Sequence, residues 1–353
     1  MRPVLVPIGG FLGAGKTTLI LAASRLLQAQ GLKPAAILND QGADLVDTRY
    51  VRENGIDADQ VSGGCFCCRF SELIDAAEML RAYSPDVIFA EAVGSCTDIS
   101  ATTLQPLKLH HSHEFRLAPY SVLVDPAQAE ALTAQDADVD LSFLFRKQIE
   151  EADLVCFTKS DLHSTFPELP AASVRYLSPF TGEGVAAWLD EILAGHIAPG
   201  NKLLEIDYER YARAEASLAW LNCRATISLS SPLSPSMVLG PWLDGLDAAL
   251  TAQGLRIAHL KAIVASPSGY VKASIVRNGE EPAVEGVMDA SPEMKHELLL
   301  NVRATGEPET LHQVVEAELA KLPGDLELQM LQCFSPSAPR PEYRLHSVVT
   351  GAN

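Results

Sequence analysis

The chain carries Gly10-Phe-Leu-Gly13-Ala14-Gly15-Lys16-Thr17 directly between an apolar strand pattern over residues 4–8 and a helical pattern over residues 17–30. The octapeptide fits G-x-x-x-x-G-K-[ST], in which glycines let backbone N–H groups turn inward around phosphate oxygens. Its position between a strand and a helix predicts a phosphate-binding P-loop, with the helix N-terminus favouring the same anion. A glycine-rich turn with an incidental lysine is the alternative.

Each part of this loop has an expected task. Lys16 reaches the β- and γ-phosphate oxygens, and the Thr17 hydroxyl is placed to bind Mg²⁺. The backbone that cradles the phosphates is expected from Gly10, Gly13, Ala14 and Gly15. The loop therefore predicts a site for a nucleoside triphosphate with Mg²⁺.

Apolar strand patterns alternate with helical patterns through the first half of the chain. Strands are predicted at residues 4–8, 35–38, 86–90, 121–124, 154–157 and 174–177, and helices at 17–30, 69–82, 141–152 and 183–194. Most of these strands are too continuously apolar for a half-exposed sheet, so helices should cover both faces. The fold class is α/β: a P-loop NTPase domain with a mostly parallel sheet, over residues 1–198.

The pattern changes after Pro199 and Gly200, which open a predicted linker over residues 199–216. Strands are then predicted at 218–229, 257–265, 270–276, 297–304 and 326–333, and helices at 235–253 and 308–321. This order predicts a smaller α+β C-terminal domain over residues 217–353. Its last residues, from Ser335, contain three prolines and are expected to form an extended tail.

The composition narrows the class of partner and the compartment. The net charge of −18, from 45 acidic against 27 basic residues, argues against nucleic acid and anionic membranes, which attract Lys and Arg. The first residues resemble neither a signal peptide nor a membrane span. Seven cysteines, an odd number, make a disulfide framework improbable in such a chain. A cytoplasmic protein is expected.

Thr158-Lys159-Ser160-Asp161 follows the strand predicted at 154–157 and is close to the Asn-Lys-x-Asp pattern that reads guanine. The Asp161 carboxylate can accept from the N1–H and N2–H₂ of guanine, a pairing that adenine does not offer, while the Lys159 stem covers the ring. Thr158 lacks the amide of Asn, which weakens the guanine assignment. Ser178, at the end of the next strand, begins a loop that resembles a second base contact. A strand-terminal turn with solvated side chains is the alternative.

Three cysteines lie within four residues in Gly63-Gly-Cys65-Phe-Cys67-Cys68, immediately before a predicted helix. Thiolates are soft ligands that suit Zn²⁺ and related ions, and a helix N-terminus lowers a thiol pKa. Three sulfurs this close predict a site for one metal ion with an exchangeable fourth position. A redox-active or simply buried cluster remains open.

Together with Glu91-Ala-Val-Gly94, these motifs resemble the CobW-like family of metal-handling P-loop GTPases. The resemblance covers the first 200 residues through specific motifs. It implies GTP hydrolysis linked to metal allocation or metallocofactor assembly.

The resemblance implies further roles. Thr18 would join the phosphate site, and the three cysteines would hold the metal. Glu91 would act near Mg²⁺ or the attacking water. The switch segment, Asn39-Asp-Gln-Gly42, departs from the family's Asn-Glu-Phe-Gly, since Asp40 is shorter than Glu and Gln41 is polar. Either Glu91 or Asp40 is therefore expected to orient the water that attacks the γ-phosphate.

Two weaker candidates remain. His110, His111 and His113 lie in a predicted loop between two strands and either bind a metal or remain solvated. Cys96 lies five residues after Glu91 and is either a buried structural thiol, which is favoured, or a fourth metal ligand.

The sequence thus predicts a GTPase that uses GTP and Mg²⁺ to gate a transition metal, Zn²⁺ first, with Co²⁺ or Ni²⁺ as alternatives. A client metalloenzyme or cofactor-assembly protein is the expected partner, and a homodimer is left open. The alternatives are a GTP-dependent reactivator of a corrinoid or other cofactor enzyme, with structural cysteines, and a P-loop kinase acting on a small molecule.

Overall fold

The computed structural model describes residues 2–42, 46–170 and 173–350. It separates into two compact units. The first contains residues up to 41, residues 47–215 and the chain from 338 onward, and the second contains 42–46 and 216–337. The sequence pattern predicts residues 338–353 as part of the C-terminal domain, whereas the chain from 338 onward groups with the first unit. The difference arises because this segment makes hydrogen bonds with loops and helices of the first unit.

The first unit contains an eight-stranded sheet, ordered β3-β2-β4-β1-β6-β7-β8 with β5 beside β1, in which every described pairing is parallel. Its strands are, in chain order, β1 (Val4–Gly10), β2 (Pro34–Asp40), β3 (Asp57–Ser62), β4 (Val87–Glu91), β5 (Arg116–Leu117), β6 (Ser121–Val124), β7 (Leu154–Phe157) and β8 (Val174–Tyr176). The central strands β1 and β4 are buried at every position, as a sheet covered on both faces requires. The predicted parallel sheet is confirmed.

Helices connect these strands. They are α1 (Lys16–Ala29), α2 (Val46–Glu53), α3 (Phe70–Arg81), α4 (Gln105–His110), α5 (Pro126–Thr133), α6 (Val139–Glu151), α7 (Val185–Leu193) and α8 (Tyr208–Ala216), with a π-helical turn at Ser100–Leu104 before α4. Helix α8 lies within the stretch that the sequence predicts as a linker. His110 is the last residue of α4, so the prediction of a loop there is wrong for this residue.

The second unit contains a six-stranded antiparallel sheet, ordered β12-β11-β10-β13-β9-β14, and two helices. Its elements are β9 (Leu218–Leu233), α9 (Pro235–Ala252), β10 (Arg256–Ser266), β11 (Gly269–Ile275), β12 (Ala283–Gly286), β13 (Glu293–Thr305), α10 (Pro308–Leu319) and β14 (Asp325–Phe334). Apolar side chains of both helices and of the sheet form one core, including Trp242, Leu246, Val315 and Leu300. The predicted α+β domain is confirmed as a fold.

Within the described residues, the helices are all too short or too polar to cross a membrane.

Candidate functional site

The predicted site segments follow the carboxyl ends of neighbouring strands in the parallel sheet. The cysteines follow β3, the switch segment begins in the last two residues of β2, Glu91 ends β4, the P-loop begins at the last residue of β1, and Thr158 follows β7. In an open parallel sheet the crevice at these strand ends is where ligands bind. The strand order therefore places the segments side by side along one edge of the sheet, from the cysteines at β3 to the base segment at β7.

The P-loop has the backbone that phosphate binding requires. Gly13 and Gly15 adopt positive φ angles of 79° and 87°, which glycine reaches without steric cost. Ala14 donates its N–H to the Phe11 carbonyl. Lys16 is buried, and its ammonium donates to the carbonyls of Gly10 at 2.8 Å and Phe11 at 3.2 Å. Thr18 lies in the first turn of α1.

Glycine is also required in the segment that packs against this loop. A Cβ added to Gly94 would lie 3.0 Å from the backbone nitrogen of Leu12 and closer still to its side chain. The Glu91-x-x-Gly94 segment therefore packs directly on the P-loop, which ties the position of Glu91 to that of the phosphate cradle.

Two carboxylates converge on Thr17. The Thr17 hydroxyl lies 3.0 Å from Asp47 Oδ1 and 3.0 Å from Glu91 Oε2. Three hard oxygen donors grouped in this way fit Mg²⁺, which prefers carboxylate and hydroxyl oxygens. Sequence reasoning named Glu91 but missed Asp47, which lies in the polar helix α2. Asp40 instead ends β2, in register with Ser62 of β3.

The base segment is fastened to the P-loop and to the strand beside it. The Thr158 hydroxyl donates to the Ala14 carbonyl at 2.9 Å, so the threonine that departs from the guanine-reading pattern has a structural contact of its own. Lys159 pairs with Asp125 at 2.5 Å, while Asp161 is exposed. The Ser160 N–H donates to the Leu177 carbonyl, which brings the Ser178 loop beside this segment. Both predicted base loops are therefore adjacent.

The three clustered sulfurs lie close enough to share one ion. Cys65 Sγ is 2.7 Å from Cys67 Sγ and 3.5 Å from Cys68 Sγ, and the last two are 3.7 Å apart. A tight turn produces this grouping, since the Cys65 carbonyl accepts from the N–H groups of Cys68 and Arg69. Three thiol ligands suit a soft or borderline ion and leave a fourth position open.

The switch segment holds the cysteine loop through Asn39. Its amide donates to the carbonyls of Val61 at 2.9 Å and Gly64 at 2.8 Å, and its oxygen accepts from the Phe66 N–H at 2.9 Å. One side chain thus uses three hydrogen bonds to orient the backbone on both sides of Cys65. The end of β2 and the cysteine loop are consequently one connected piece.

The sulfurs share protons unequally. Hydrogen bonds from Cys67 and Cys68 hold the pKa of Cys65 well below its ordinary value. The hydrogen bond with Cys65 raises the pKa of Cys67 well above its ordinary range and that of Cys68 to about 12. Cys65 is therefore the thiol of the cluster that loses its proton most readily. A bound metal ion would have to displace the remaining protons.

The two weaker candidates for metal binding, Cys96 and the histidines, have different surroundings. The Cys96 thiol is buried and donates to Glu215 Oε1 at 3.8 Å, and it lies close enough to the cluster to lower the pKa of Cys65. His111 and His113 both face Glu114, at 2.9 and 3.3 Å. His110 packs near the ring of Tyr343. The histidines thus contact an acidic and an aromatic neighbour, and the cysteines form the group in the described chain whose ligand atoms all lie within 4.8 Å of one another.

The C-terminal tail covers the outer side of the cysteine loop. The Arg340 N–H donates to Cys68 Sγ at 3.1 Å, and the Glu342 N–H donates to the Cys67 carbonyl at 2.9 Å. The Glu342 carboxylate also accepts from the Ser71 hydroxyl at 2.6 Å. Sequence reasoning missed these contacts because they join positions about 270 residues apart, as the separation of 272 for Arg340 and Cys68 shows.

Residues 4–175 match the family described as CobW/HypB/UreG, nucleotide-binding domain. The zinc chaperone YjiA of Escherichia coli (strain K12) is 31% identical over 166 residues, which is 46% of this chain and 51% of YjiA. The chain thus spans about half the length of that relative. The zinc chaperone YeiR of the same organism is 24% identical over 322 residues, covering 84% of this chain and 93% of YeiR. A crystal structure of Zn(II)-bound YjiA GTPase from E. coli aligns with a TM-score of 0.37 at 16% identity, covering 91% of this chain and 99% of that one.

Proposed function

We propose, from the premise that residues 4–175 belong to the CobW/HypB/UreG family of nucleotide-binding domains, that this protein is a GTP-hydrolysing metallochaperone. Cys65, Cys67 and Cys68 hold a transition metal as cargo, and the nucleotide state sets how tightly they hold it. Zn²⁺ is the first candidate because two similar proteins are named zinc chaperones, and thiolates also accept Co²⁺ and Ni²⁺. The recipient is a metalloenzyme or a cofactor-assembly protein.

The observation that supports this proposal most directly is the set of three hydrogen bonds between the Asn39 side chain and the cysteine loop. Asn39 lies at the end of β2, and β2 pairs with β4 so that Leu38 stands opposite Glu91. A rearrangement of the switch segment around a γ-phosphate would move the Asn39 amide, and with it the backbone around Cys65. The conformation of the switch segment would then affect the binding of both nucleotide and metal, so the two binding events would be coupled.

Hydrolysis in this site would rest on positioning and charge stabilisation. Lys16 would exchange its two backbone carbonyls for phosphate oxygens. Thr17, Asp47 and Glu91 are the residues that would hold Mg²⁺, which when bound neutralises charge on the phosphates. Glu91 is also the carboxylate we assign to orient the attacking water, because its packing against the P-loop fixes its place.

Guanine selection would come from the loops after β7 and β8. The Asp161 carboxylate would accept from the base, and the Lys159 stem, held by Asp125, would lie on its face. Ser178 would support the second loop, since its hydroxyl accepts from the Thr181 N–H at 3.1 Å.

The decisive experiment measures Zn²⁺ affinity by competition with a chelating dye, in the presence of Mg²⁺ with either GDP or a non-hydrolysable GTP analogue. We expect the two nucleotides to give affinities that differ by about 5- to 150-fold, the range of ordinary allosteric coupling. By linkage, Zn²⁺ must change the affinity for the GTP analogue, relative to GDP, by the same factor.

Two variants serve as controls. Replacing the three clustered cysteines with serine should abolish Zn²⁺ binding and keep nucleotide binding. Lys16→Ala should abolish GTP hydrolysis and keep Zn²⁺ binding with GDP. Equal Zn²⁺ affinities with both nucleotides in the parent protein would reject gating and leave the cysteines as a structural site.

A further inference from the structure

A buried carboxylate lies between the switch segment and the cysteine cluster. Glu215, near the end of α8, is 1% exposed. It accepts a hydrogen bond from the Ser95 hydroxyl at 2.7 Å and lies 3.3 Å from the Gln41 amide nitrogen. The Cys96 thiol points to the same Oε1 atom at 3.8 Å. One carboxylate thus gathers donors from the loops that follow β2 and β4.

The contact with Cys96 extends this group to the metal cluster. Cys96 is also buried, and its thiol lies close enough to Cys65 to lower the pKa of that thiol. A series of polar interactions therefore leads from Gln41 through Glu215 and Cys96 to Cys65. Each link joins side chains, whereas the grip of Asn39 acts on the loop backbone, so the two connections are separate.

Because Glu215 is buried, this series of interactions is sensitive to a change at Gln41. A buried carboxylate depends on its hydrogen-bond donors, and losing one of them is costly. When Gln41 moves, Glu215 must compensate through the donors that remain, Ser95 and Cys96. A stronger hydrogen bond from Cys96 to Glu215 draws the single thiol proton of Cys96 toward Glu215 and so changes the electrostatic environment of Cys65.

We propose that Glu215 is a positioning residue that couples the switch segment to the metal cluster, with Gln41 on one side and Cys96 on the other. This inference rests on the proposed function, since it concerns how the nucleotide state reaches the cysteines. The metal remains with Cys65, Cys67 and Cys68, and Glu215 acts on them through Cys96.

The test uses the ratio of Zn²⁺ affinities with the GTP analogue and with GDP, measured by chelator competition. Gln41→Leu removes the donor on the switch side, Cys96→Ala removes the link on the cluster side, and Glu215→Gln changes the central acceptor. Each variant should bring the ratio at least about threefold closer to one, while the hydrogen bonds of Asn39 keep part of the coupling and Zn²⁺ still binds with GDP. Gln41 is partly exposed and Cys96 is small, so at least these two variants are expected to fold.

A double variant separates coupling from a general loss of stability. If the three residues act as a unit, Gln41→Leu combined with Cys96→Ala should reduce the ratio no further than either change alone. Multiplying effects would mean that the two residues act independently and would overturn the proposal.

Glu151 provides the matched control. It is likewise a buried glutamate of the first unit, and it binds Thr97 Oγ1 and the Ser100 N–H, each at 3.0 Å. Glu151→Gln should keep the parent ratio. A parent ratio of one would reject nucleotide gating itself, whereas a parent ratio that persists in Glu215→Gln and Gln41→Leu would reject only the role of Glu215.

Discussion

At the scale of single residues, the phosphate end of the site is defined by what surrounds Thr17. The P-loop motif identifies Thr17 as a Mg²⁺ ligand, and the structure adds two carboxylates at 3.0 Å. Glu91 was expected from its motif. Asp47 was not, because it is the single aspartate of the polar helix α2 and belongs to no recognisable motif.

The first prediction compares Asp47, which contacts Thr17, with Asp40 of the switch segment. Asp47→Asn should raise the Mg²⁺ concentration needed for half-maximal GTP hydrolysis by about tenfold or more, since a charged hydrogen-bonding ligand is worth about 1.5–3 kcal/mol. Asp40→Asn should change it by less than about threefold. Hydrolysis rates measured across a Mg²⁺ titration give both values. A larger effect at Asp40 than at Asp47 would mean that Asp40 of the switch segment, and not Asp47, contributes to the Mg²⁺ site.

The second prediction concerns pH and Glu151. Burial raises the pKa of Glu151 to about 8 from 4.5, so the native protein keeps a proton that the unfolded chain releases. Its stabilising contribution is complete below pH of about 4.5 and declines as the pH rises to about 8, by up to about 1.4 kcal/mol per pH unit. Glu151→Gln should remove this slope from the free energy of unfolding. Urea denaturation at several pH values measures it, and an unchanged slope would show that Glu151 is ionised in the native state.

At the scale of elements, the sequence is informative where function is local. The P-loop and the base segment each follow a buried apolar strand, and the motifs of the P-loop, the cysteines and the base segment each lie within a few consecutive residues. The polar edge strand β3 and helix α8 lack such patterns, and α8 lies inside the predicted linker. Glu215 was therefore missed, although it lies against Ser95, 120 positions away in the chain. Contacts of that kind depend on topology, which no local pattern contains.

The third prediction tests the loop after β7. Asp161→Ala should reduce the preference for GDP over ADP by about 10- to 150-fold, which corresponds to about 1.5–3 kcal/mol for hydrogen bonds to a charged group. Isothermal titration with both nucleotides measures the preference. Glu168→Ala, an exposed acid of the same loop, is the matched control and should leave the preference unchanged. Equal binding of GDP and ADP by the parent protein would favour a kinase.

At the scale of the whole molecule, the tail gives the cysteine cluster a cover that comes from the far end of the chain. Arg344 pairs with Asp98 at 2.7 Å and donates to the Leu204 carbonyl at 3.0 Å. Tyr343 packs edge-on against Phe70 at 5.3 Å. Together with Glu342, these residues fasten the segment whose backbone donates to Cys68. Residues 338–350 thus pack on the rest of the first unit.

The fourth prediction follows from this cover. Glu342→Ala and Arg344→Ala should each make the metal-free protein react about tenfold faster with a thiol-modifying reagent, the effect of about 1.4 kcal/mol of lost protection. Mass spectrometry should locate the added modification at Cys68. Glu327→Ala, an exposed residue of β14, should react at the parent rate. Unchanged rates in both tail variants would mean that the tail does not shield the sulfur.

The strand order separates the two ends of this site in space. Five inter-strand steps lie between β3 and β7, which at about 4.8 Å per step places the cysteine end and the base end roughly 24 Å apart. Cargo would therefore leave by one side of the sheet while spent nucleotide leaves by the other. A recipient protein docked at the cysteine side would not obstruct nucleotide exchange, so unloading and recharging could proceed within a single encounter.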